Sequence, residues 1–165
     1  MSEKINCFAF QSLFALVCLV MAKERIFPEY LELEALNSMG EGCMVEHLGI
    51  QFTEIGENYL VATMPVDHRT KQPLGLLHGG ASVALAETMG SLGATLCLDL
   101  NKQYAVGLEI NTNHIKSAKR GVVTGKASPI HLGRGTHVWS IEIKNEDNQL
   151  VAISRITMAI LDRKE

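Results

Sequence analysis

One long stretch of the chain restricts the folds that it can adopt. From Ala81 to Leu98 almost every residue is small or apolar, and Glu87 is the one charged residue in the stretch. A helix that is apolar all round is buried in a protein core, and this segment is too short and too rich in glycine for a membrane span. We therefore predict a long central helix with no exposed face and a carboxylate in its middle.

Burying an unpaired carboxylate costs free energy, so proteins rarely keep one without a partner or a function. The residues around Glu87 indicate which of these applies. We favour a catalytic role for Glu87, with a structural partner or a place at a subunit interface as the alternatives. Ser91 follows four residues later on the same helix face. Gly79 and Gly80 stand at the expected helix start, where free backbone N–H groups and the helix dipole bind a negatively charged oxygen. His78 and Gln72 lie just before them. A donor pair, a carboxylate and a hydroxyl are the parts of an acyl-transfer site.

Composition narrows the class of protein. A chain of 165 residues with 47% hydrophobic and 20% charged residues is typical of one globular domain with a sizeable core. The formal net charge of −3 gives no sign of a nucleic-acid partner. The four cysteines have no paired spacing, which favours free thiols in a reducing compartment, here the cytoplasm.

The first residues differ from the rest of the chain. No charge occurs between Lys4 and Lys23, and residues 13–21 are strongly apolar. A signal peptide with a weak charged region, a short membrane anchor, and an extension outside the working domain all remain open. We favour the extension, since Met21 begins a plausible N-terminus of its own. The predicted division is an apolar extension over residues 1–22 and a single domain over residues 23–165.

The periodicity of the remaining residues predicts an α+β fold. A short helix is predicted over 31–39. Strands are predicted over 50–55, 59–66, 103–118, 122–132, 136–144 and 150–161. In the third strand, one face is expected to hold Tyr104, Val106, Leu108, Ile110, Thr112 and His114. Without a bulge, His114 then points towards the helix, where a hydrogen-bonded core histidine is the usual role. Two strands, a buried helix and a four-stranded meander require a sheet that curls around the helix.

Several kinds of chemistry have no motif in the sequence. There is no G-x-S-x-G, no H-E-x-x-H and no P-loop, and the six histidines lack the spacing of metal ligands. We therefore expect no metal and no cofactor. The turn around Arg134 has glycines on both sides, and such a turn either holds a phosphate or serves only as a turn.

Three segments carry a resemblance to a known family. They read MPVDHRTKQPLGLLHGGASVALAETMGS, VGLEINTNHIKSAKRG and PIHLGRGTHVW. Together they resemble the hotdog-fold acyl-CoA thioesterases, within the group of the 1,4-dihydroxy-2-naphthoyl-CoA, enterobactin-proofreading and Arthrobacter-type 4-hydroxybenzoyl-CoA thioesterases. The resemblance covers about residues 33–161. It implies a curved antiparallel sheet wrapped around one long central helix, with protomers paired edge to edge into dimers or dimers of dimers and active sites at the interface.

The resemblance also implies a role for particular residues. The carboxylate that attacks the thioester or activates water falls on Glu87, and the backbone N–H that polarises the carbonyl falls on Gly79. The supporting residues are His78, Gln72 and Ser91. His114 matches the acyl-pocket histidine, and nucleotide contacts fall on Lys116, Arg134 and Thr136. The implied substrate is an acyl-CoA, aryl-CoA or 1,4-dihydroxy-2-naphthoyl-CoA, the last in menaquinone biosynthesis.

Other functions remain open at this point. An acyl or aryl carrier protein is an alternative partner to coenzyme A. A hotdog hydratase or dehydratase uses an Asp and His pair, whereas this helix offers Glu87 alone. A non-catalytic acyl-thioester-binding protein does not need Glu87. A membrane-tethered form depends on residues 1–22.

Overall fold

The computed structural model describes residues 25–164, which form one six-stranded antiparallel sheet and one long helix packed against it. The predicted extension over residues 1–22 lies outside the described residues. In chain order the elements are α1 (Leu33–Ser38), α2 (Met44–His47), β1 (Gln51–Ile55), β2 (Leu60–Pro65), α3 (Gly79–Leu96), β3 (Gln103–His114), β4 (Val122–Leu132), β5 (Thr136–Asn145) and β6 (Leu150–Asp162). The predicted α+β class is confirmed.

Element boundaries agree with the sequence pattern to within two residues, apart from one unpredicted helix and the end of β3. The short helix α2 was not predicted. The central helix begins at Gly79, where its start was expected, and ends at Leu96, two residues before the end of the apolar run. Strand β3 stops at His114, four residues before the predicted end at Ala118.

The strand order in the sheet is β1-β2-β4-β5-β6-β3. Only β4, β5 and β6 form a meander, so the predicted four-stranded meander is wrong for β3. After β2 the chain runs along α3 across the sheet and enters β3 at the opposite edge, beside β6. Strand β2 then pairs with β4. One long edge strand, β3, is therefore left with an open side.

The core lies between α3 and the sheet. Alternate residues of β2 and of β5 are fully buried, as period-two patterning predicts; these are Leu60, Ala62, Met64, Trp139, Ile141 and Ile143. Helix α3 meets them with Leu85, Ala86 and Met89. The indole of Trp139 lies so near the helix that a Cβ atom on Gly93 would come within 2.9 Å of it. A glycine is therefore required there for close helix–sheet packing.

Helix α3 is buried on one side only. Its buried residues are Ala81, Ser82, Leu85, Ala86, Met89, Gly90, Gly93 and Ala94. The intervening residues, including Glu87 and Ser91, are half-exposed. The prediction of a helix with no exposed face is therefore wrong for the single chain, because one sheet contacts only one side of a helix. Among residues 25–164, no helix combines the length and apolarity needed to cross a membrane.

A β-bulge in β3 changes which residues face the helix. Gly107 pairs with Met158 and Glu109 with Thr157, so Leu108 is an extra residue in the ladder. Before the bulge Ala105 packs against the core, and after it Ile110 does. The predicted common face is wrong for its first half, since Tyr104, Val106 and Leu108 are exposed. His114 still faces the helix.

Candidate active site

The first turn of α3 leaves one backbone donor free. His78 is the N-cap residue, and its Nδ1 accepts the Gly80 N–H at 2.8 Å. The His78 carbonyl accepts the N–H groups of Ala81 and Ser82. The Gly79 N–H has no acceptor among residues 25–164. Of the two donors expected at Gly79 and Gly80, Gly79 is the one left for a ligand, at the positive end of the helix dipole.

A cleft of about 290 Å³ opens beside this donor. It brings together four residues that the sequence singled out, Gln72, Gly79, His114 and Lys116. A Cβ atom on Gly79 would lie 2.8 Å from His114 Nε2. The imidazole of His114 therefore lies directly against the start of α3, and a side chain at position 79 would have to displace it.

Gln72 is held at the cleft by a tight turn. Its backbone N–H donates to the Leu76 carbonyl at 2.8 Å, and its carbonyl accepts the Gly75 N–H at 2.9 Å. Its side-chain oxygen accepts the Leu74 N–H. Because the oxygen is engaged, the NH₂ group is the part of this side chain that a ligand can use.

Glu87 lies on the half-exposed face of α3. Ser91 Oγ donates to Glu87 Oε1 at 3.2 Å and lies 3.8 Å from Met158 Sδ. Opposite the carboxylate is Gly107 of β3, where an added Cβ atom would lie 2.9 Å from Glu87 Oε1. Gly107 was not among the predicted site residues. Its signal was a glycine inside a strand pattern, which often marks a bulge or a close approach.

Gly79 and Glu87 are too far apart in one chain to act on the same atom. They are separated by eight residues of α3, which is about 12 Å along the axis at a rise of 1.5 Å per residue. Glu87 does not line the cleft that contains Gly79. A single thioester carbonyl therefore cannot contact both groups of one protomer.

The remaining predicted contacts lie at the other end of α3. Arg134 lines a second cavity of about 440 Å³, together with Cys97 and His137. Thr136 pairs with Ala159 in the β5–β6 ladder. Within one chain, Arg134 and Thr136 are therefore not brought to the Gly79 cleft.

Burial affects two titratable groups around this second cavity. It raises the pKa of the Cys97 thiol to about 11. It lowers the pKa of His137, which is 5% exposed and whose Nδ1 has no partner among the described residues. Over residues 25–164, no group of three His, Cys, Asp or Glu residues is arranged to hold a metal ion.

Comparisons with known proteins identify the family. The sequence model of the thioesterase superfamily matches residues 74–152. The 1,4-dihydroxy-2-naphthoyl-CoA hydrolase of Escherichia coli is 56% identical over 136 residues, which are 82% of this chain and 99% of that protein. The proofreading thioesterase EntH of Cronobacter sakazakii is 48% identical over 136 residues, 82% of this chain and 98% of that protein.

A solved structure agrees with these relatives. The crystal structure of a thioesterase from Haemophilus influenzae superposes with a TM-score of 0.81 at 48% identity, covering 85% of this chain and 97% of that one. Both fold and sequence therefore match over nearly the whole described region. The chain belongs to the thioesterase superfamily, has its hotdog fold and is a thioester hydrolase.

Proposed function

We propose that this thioesterase hydrolyses acyl-CoA thioesters, with an aryl-CoA or 1,4-dihydroxy-2-naphthoyl-CoA as its substrate. The observation that carries the proposal is the free Gly79 N–H at the start of α3, in a cleft that also holds His114 and Gln72. The name of the E. coli relative supports the naphthoyl substrate. That substrate would give the enzyme a role in menaquinone biosynthesis. The free thiols of Cys43 and Cys97 fit a cytoplasmic location.

In this proposal the Gly79 N–H polarises the thioester carbonyl. When a nucleophile adds to the carbonyl carbon, negative charge collects on the oxygen, and a donor already aimed at that oxygen stabilises the transition state. One such donor typically contributes about 3–4 kcal/mol. The helix dipole of α3 acts in the same direction. The Gln72 NH₂ group holds the thioester carbonyl in place. The His78 side chain, as the N-cap, fixes the start of α3.

Glu87 acts either as a general base or as the nucleophile. As a general base it takes a proton from water, and the resulting hydroxide adds to the carbonyl carbon. As a nucleophile its carboxylate adds directly and forms a mixed anhydride, which water then hydrolyses. In both routes the C–S bond breaks and the CoA thiolate leaves, followed by its protonation. Ser91 donates to Glu87 Oε1 and so orients the carboxylate.

The distance between Gly79 and Glu87 leads us to propose that each site is completed by two protomers. Hotdog thioesterases usually oligomerise, and this chain has two surfaces suited to it. One is the half-exposed face of α3 that carries Glu87. The other is the open edge of β3, where Tyr104, Val106 and Leu108 are exposed. A dimer, or a dimer of dimers, would place Glu87 of one chain opposite Gly79 of another.

The same assembly accounts for the proposed nucleotide contacts. Lys116 lines the Gly79 cleft. Arg134 lines the cavity at the other end of α3, two residues before Thr136. In the proposed assembly, a partner protomer brings Arg134 and Thr136 towards a CoA bound beside Lys116. The positive charges of Lys116 and Arg134 suit the phosphates of CoA, and the hydroxyl of Thr136 can donate a hydrogen bond to them.

A panel of thioesters tests the proposed function. The purified enzyme is incubated with 1,4-dihydroxy-2-naphthoyl-CoA, benzoyl-CoA, hexanoyl-CoA and an aryl carrier protein loaded with a benzoyl group. The release of free thiol is measured over time. We expect the highest kcat/KM with the aryl-CoA substrates. A clear preference for the carrier protein would contradict the CoA assignment. No release from any substrate would contradict the proposal as a whole.

A further inference from the structure

Ser82 is a buried serine whose hydroxyl has no partner among residues 25–164. It lies on α3 and is 1% exposed. A buried helical hydroxyl commonly bonds to the carbonyl four residues earlier, and the threonines of α3 do so. Thr88 Oγ1 donates to the Ala84 carbonyl and Thr95 Oγ1 to the Ser91 carbonyl, each at 2.8 Å. Ser82 makes no such bond, so its hydroxyl is available for another partner.

The Ser82 hydroxyl opens onto the cleft. Ser82 lines it together with Gly79 and His114. In the described part of the chain, the side-chain polar atoms that are both fully enclosed and unpartnered are His137 Nδ1 and Trp139 Nε1. Ser82 Oγ is not among these atoms and has no partner among residues 25–164, and the cleft is the space that Ser82 lines. As the residue three positions after Gly79, Ser82 lies on the same helix face, about 4.5 Å further along the axis.

We propose that Ser82 is a specificity-determining residue whose hydroxyl hydrogen-bonds a polar substituent on the acyl group. This inference rests on the proposed function, because it assumes that the thioester carbonyl binds at the Gly79 N–H. An acyl group anchored there extends past the next turn of α3, where Ser82 meets it. Five of the other lining residues are apolar and suit a ring, namely Leu76, Leu77, Ile115, Ala118 and Val151. Gln72, His114, Lys116 and Ser117 line the same cleft with polar side chains. Of the two lining serines, Ser117 is exposed to water whereas Ser82 is buried, so the cost of an unpaired hydroxyl falls on Ser82.

The selectivity follows from the cost of an unpaired hydroxyl. In the empty cleft water can satisfy Ser82. A hydroxylated ring replaces that water with its own hydroxyl, whereas an unsubstituted ring or alkyl chain removes the water and leaves Ser82 unpaired. Sites that hydrogen-bond a substrate hydroxyl reject the analogue lacking it far more strongly than apolar pockets reject a missing methylene. The enzyme should therefore prefer hydroxyaryl thioesters to plain aryl ones.

A matched set of substrates and variants tests the role of Ser82. The substrates are benzoyl-CoA and its 2-, 3- and 4-hydroxy derivatives, with kcat and KM measured separately for wild type and Ser82→Ala. We expect wild type to prefer at least one hydroxy isomer over benzoyl-CoA. Ser82→Ala should reduce that preference by about 10-fold, the effect of losing one hydrogen bond to an otherwise unpaired group. Activity on benzoyl-CoA should stay equal or rise.

The controls separate this role from a structural one. Thr95→Ala removes a helix hydroxyl outside the cleft and should leave the preference among the four substrates unchanged. If Ser82→Ala does not fold, as judged by its melting curve, Ser82→Cys keeps the volume with a weak donor and gives the same comparison. An equal loss on all four substrates would make Ser82 structural and overturn the inference, while the proposed function would stand. No hydrolysis of any of the four would overturn both.

Discussion

The two groups proposed to act on the thioester are held by different means. Gly79 offers a backbone N–H, and the His78 cap and the start of α3 set its direction. Glu87 offers a side chain with rotational freedom, and its restraints are the bond from Ser91 and the close approach of Gly107. Substitutions near Gly79 are therefore expected to move a backbone N–H group, whereas substitutions near Glu87 are expected to move a single carboxylate.

Replacing Glu87 by alanine should abolish most of the activity and spare the fold. The loss of a general base or nucleophile lowers kcat by about 10²–10⁴-fold. Because Glu87 lies on a half-exposed face of α3, the melting temperature should change little. Steady-state kinetics and a thermal melt measure the two effects. A variant that keeps near-wild-type kcat would remove Glu87 from the mechanism.

Cys97 should react with alkylating reagents much more slowly than Cys43. Burial holds the pKa of the Cys97 thiol near 11, and only the thiolate is reactive, whereas Cys43 is exposed. At pH 8, iodoacetamide labelling followed by peptide mass spectrometry should show a difference of about two orders of magnitude. In guanidinium chloride both should label alike. Equal rates in the native protein would contradict the burial of Cys97.

Among the elements, β3 has the strongest influence on the site. Its bulge at Leu108 turns Ala105 and His114 to the same side although their positions differ in parity. As a result, the strand places Gly107 against Glu87 and His114 against Gly79. One edge strand therefore contacts both groups of the proposed mechanism.

Replacing Gly107 by alanine should lower activity more than stability. The new Cβ atom would lie 2.9 Å from Glu87 Oε1, and the end of a flexible side chain can move away without unfolding the strand. We expect kcat to fall by about 10-fold or more, because a displaced catalytic group loses its alignment. The melting temperature should stay close to that of wild type.

A double variant provides the control for Gly107. In a Glu87→Ala background there is no carboxylate to displace, so adding Gly107→Ala should cause no further loss. Non-additivity of this kind is the sign of two changes acting through one group. Additive losses would mean that Gly107 acts independently of Glu87.

At the scale of the whole molecule, the separation of Gly79 from Glu87 predicts that two inactive variants complement each other. Gly79→Pro removes the N–H at a helix position that tolerates proline, and its ring would also displace the His114 imidazole, so the variant disables the Gly79 half of the site. When this variant is co-expressed with Glu87→Ala, a mixed dimer contains one site with an intact Gly79 and an intact Glu87. Random mixing of a two-fold dimer should restore about a quarter of wild-type activity.

The complementation requires controls for folding and assembly. Each variant alone should be inactive yet dimeric or tetrameric by sedimentation. The tagged mixed dimer, isolated by two affinity steps, should carry the recovered activity. A mixed dimer without activity would mean that each site belongs to a single chain. An active monomer would contradict the shared site directly.

A protein that begins at Met21 should keep the catalytic properties of the full chain. The proposed site residues all lie within the described region, and the family resemblance begins near residue 33. We therefore expect the same kcat/KM on aryl-CoA and at least equal solubility. A truncated enzyme that folds but loses activity would show that residues 1–20 contribute to the site.

Local patterns in the sequence determined the elements and the candidate residues. Period-two alternation predicted β2 and β5, whose inward residues are fully buried, because a strand on a core must alternate its faces. The apolar run after Gly80 predicted α3. The spacing of Gln72, Gly79 and Glu87 carried the family resemblance. Each of these signals lies within a few tens of residues.

Tertiary structure decided what depends on distant parts of the chain. The position of β3 beside β6 depends on which strand edge is open after α3 crosses the sheet. The bulge at Leu108 depends on the register with β6, and a single extra residue reverses the parity of the strand. The His78 cap decides that Gly79, rather than Gly80, keeps a free N–H. The half-exposed side of α3 depends on how much of a helix one sheet can cover, and no local pattern encodes that limit.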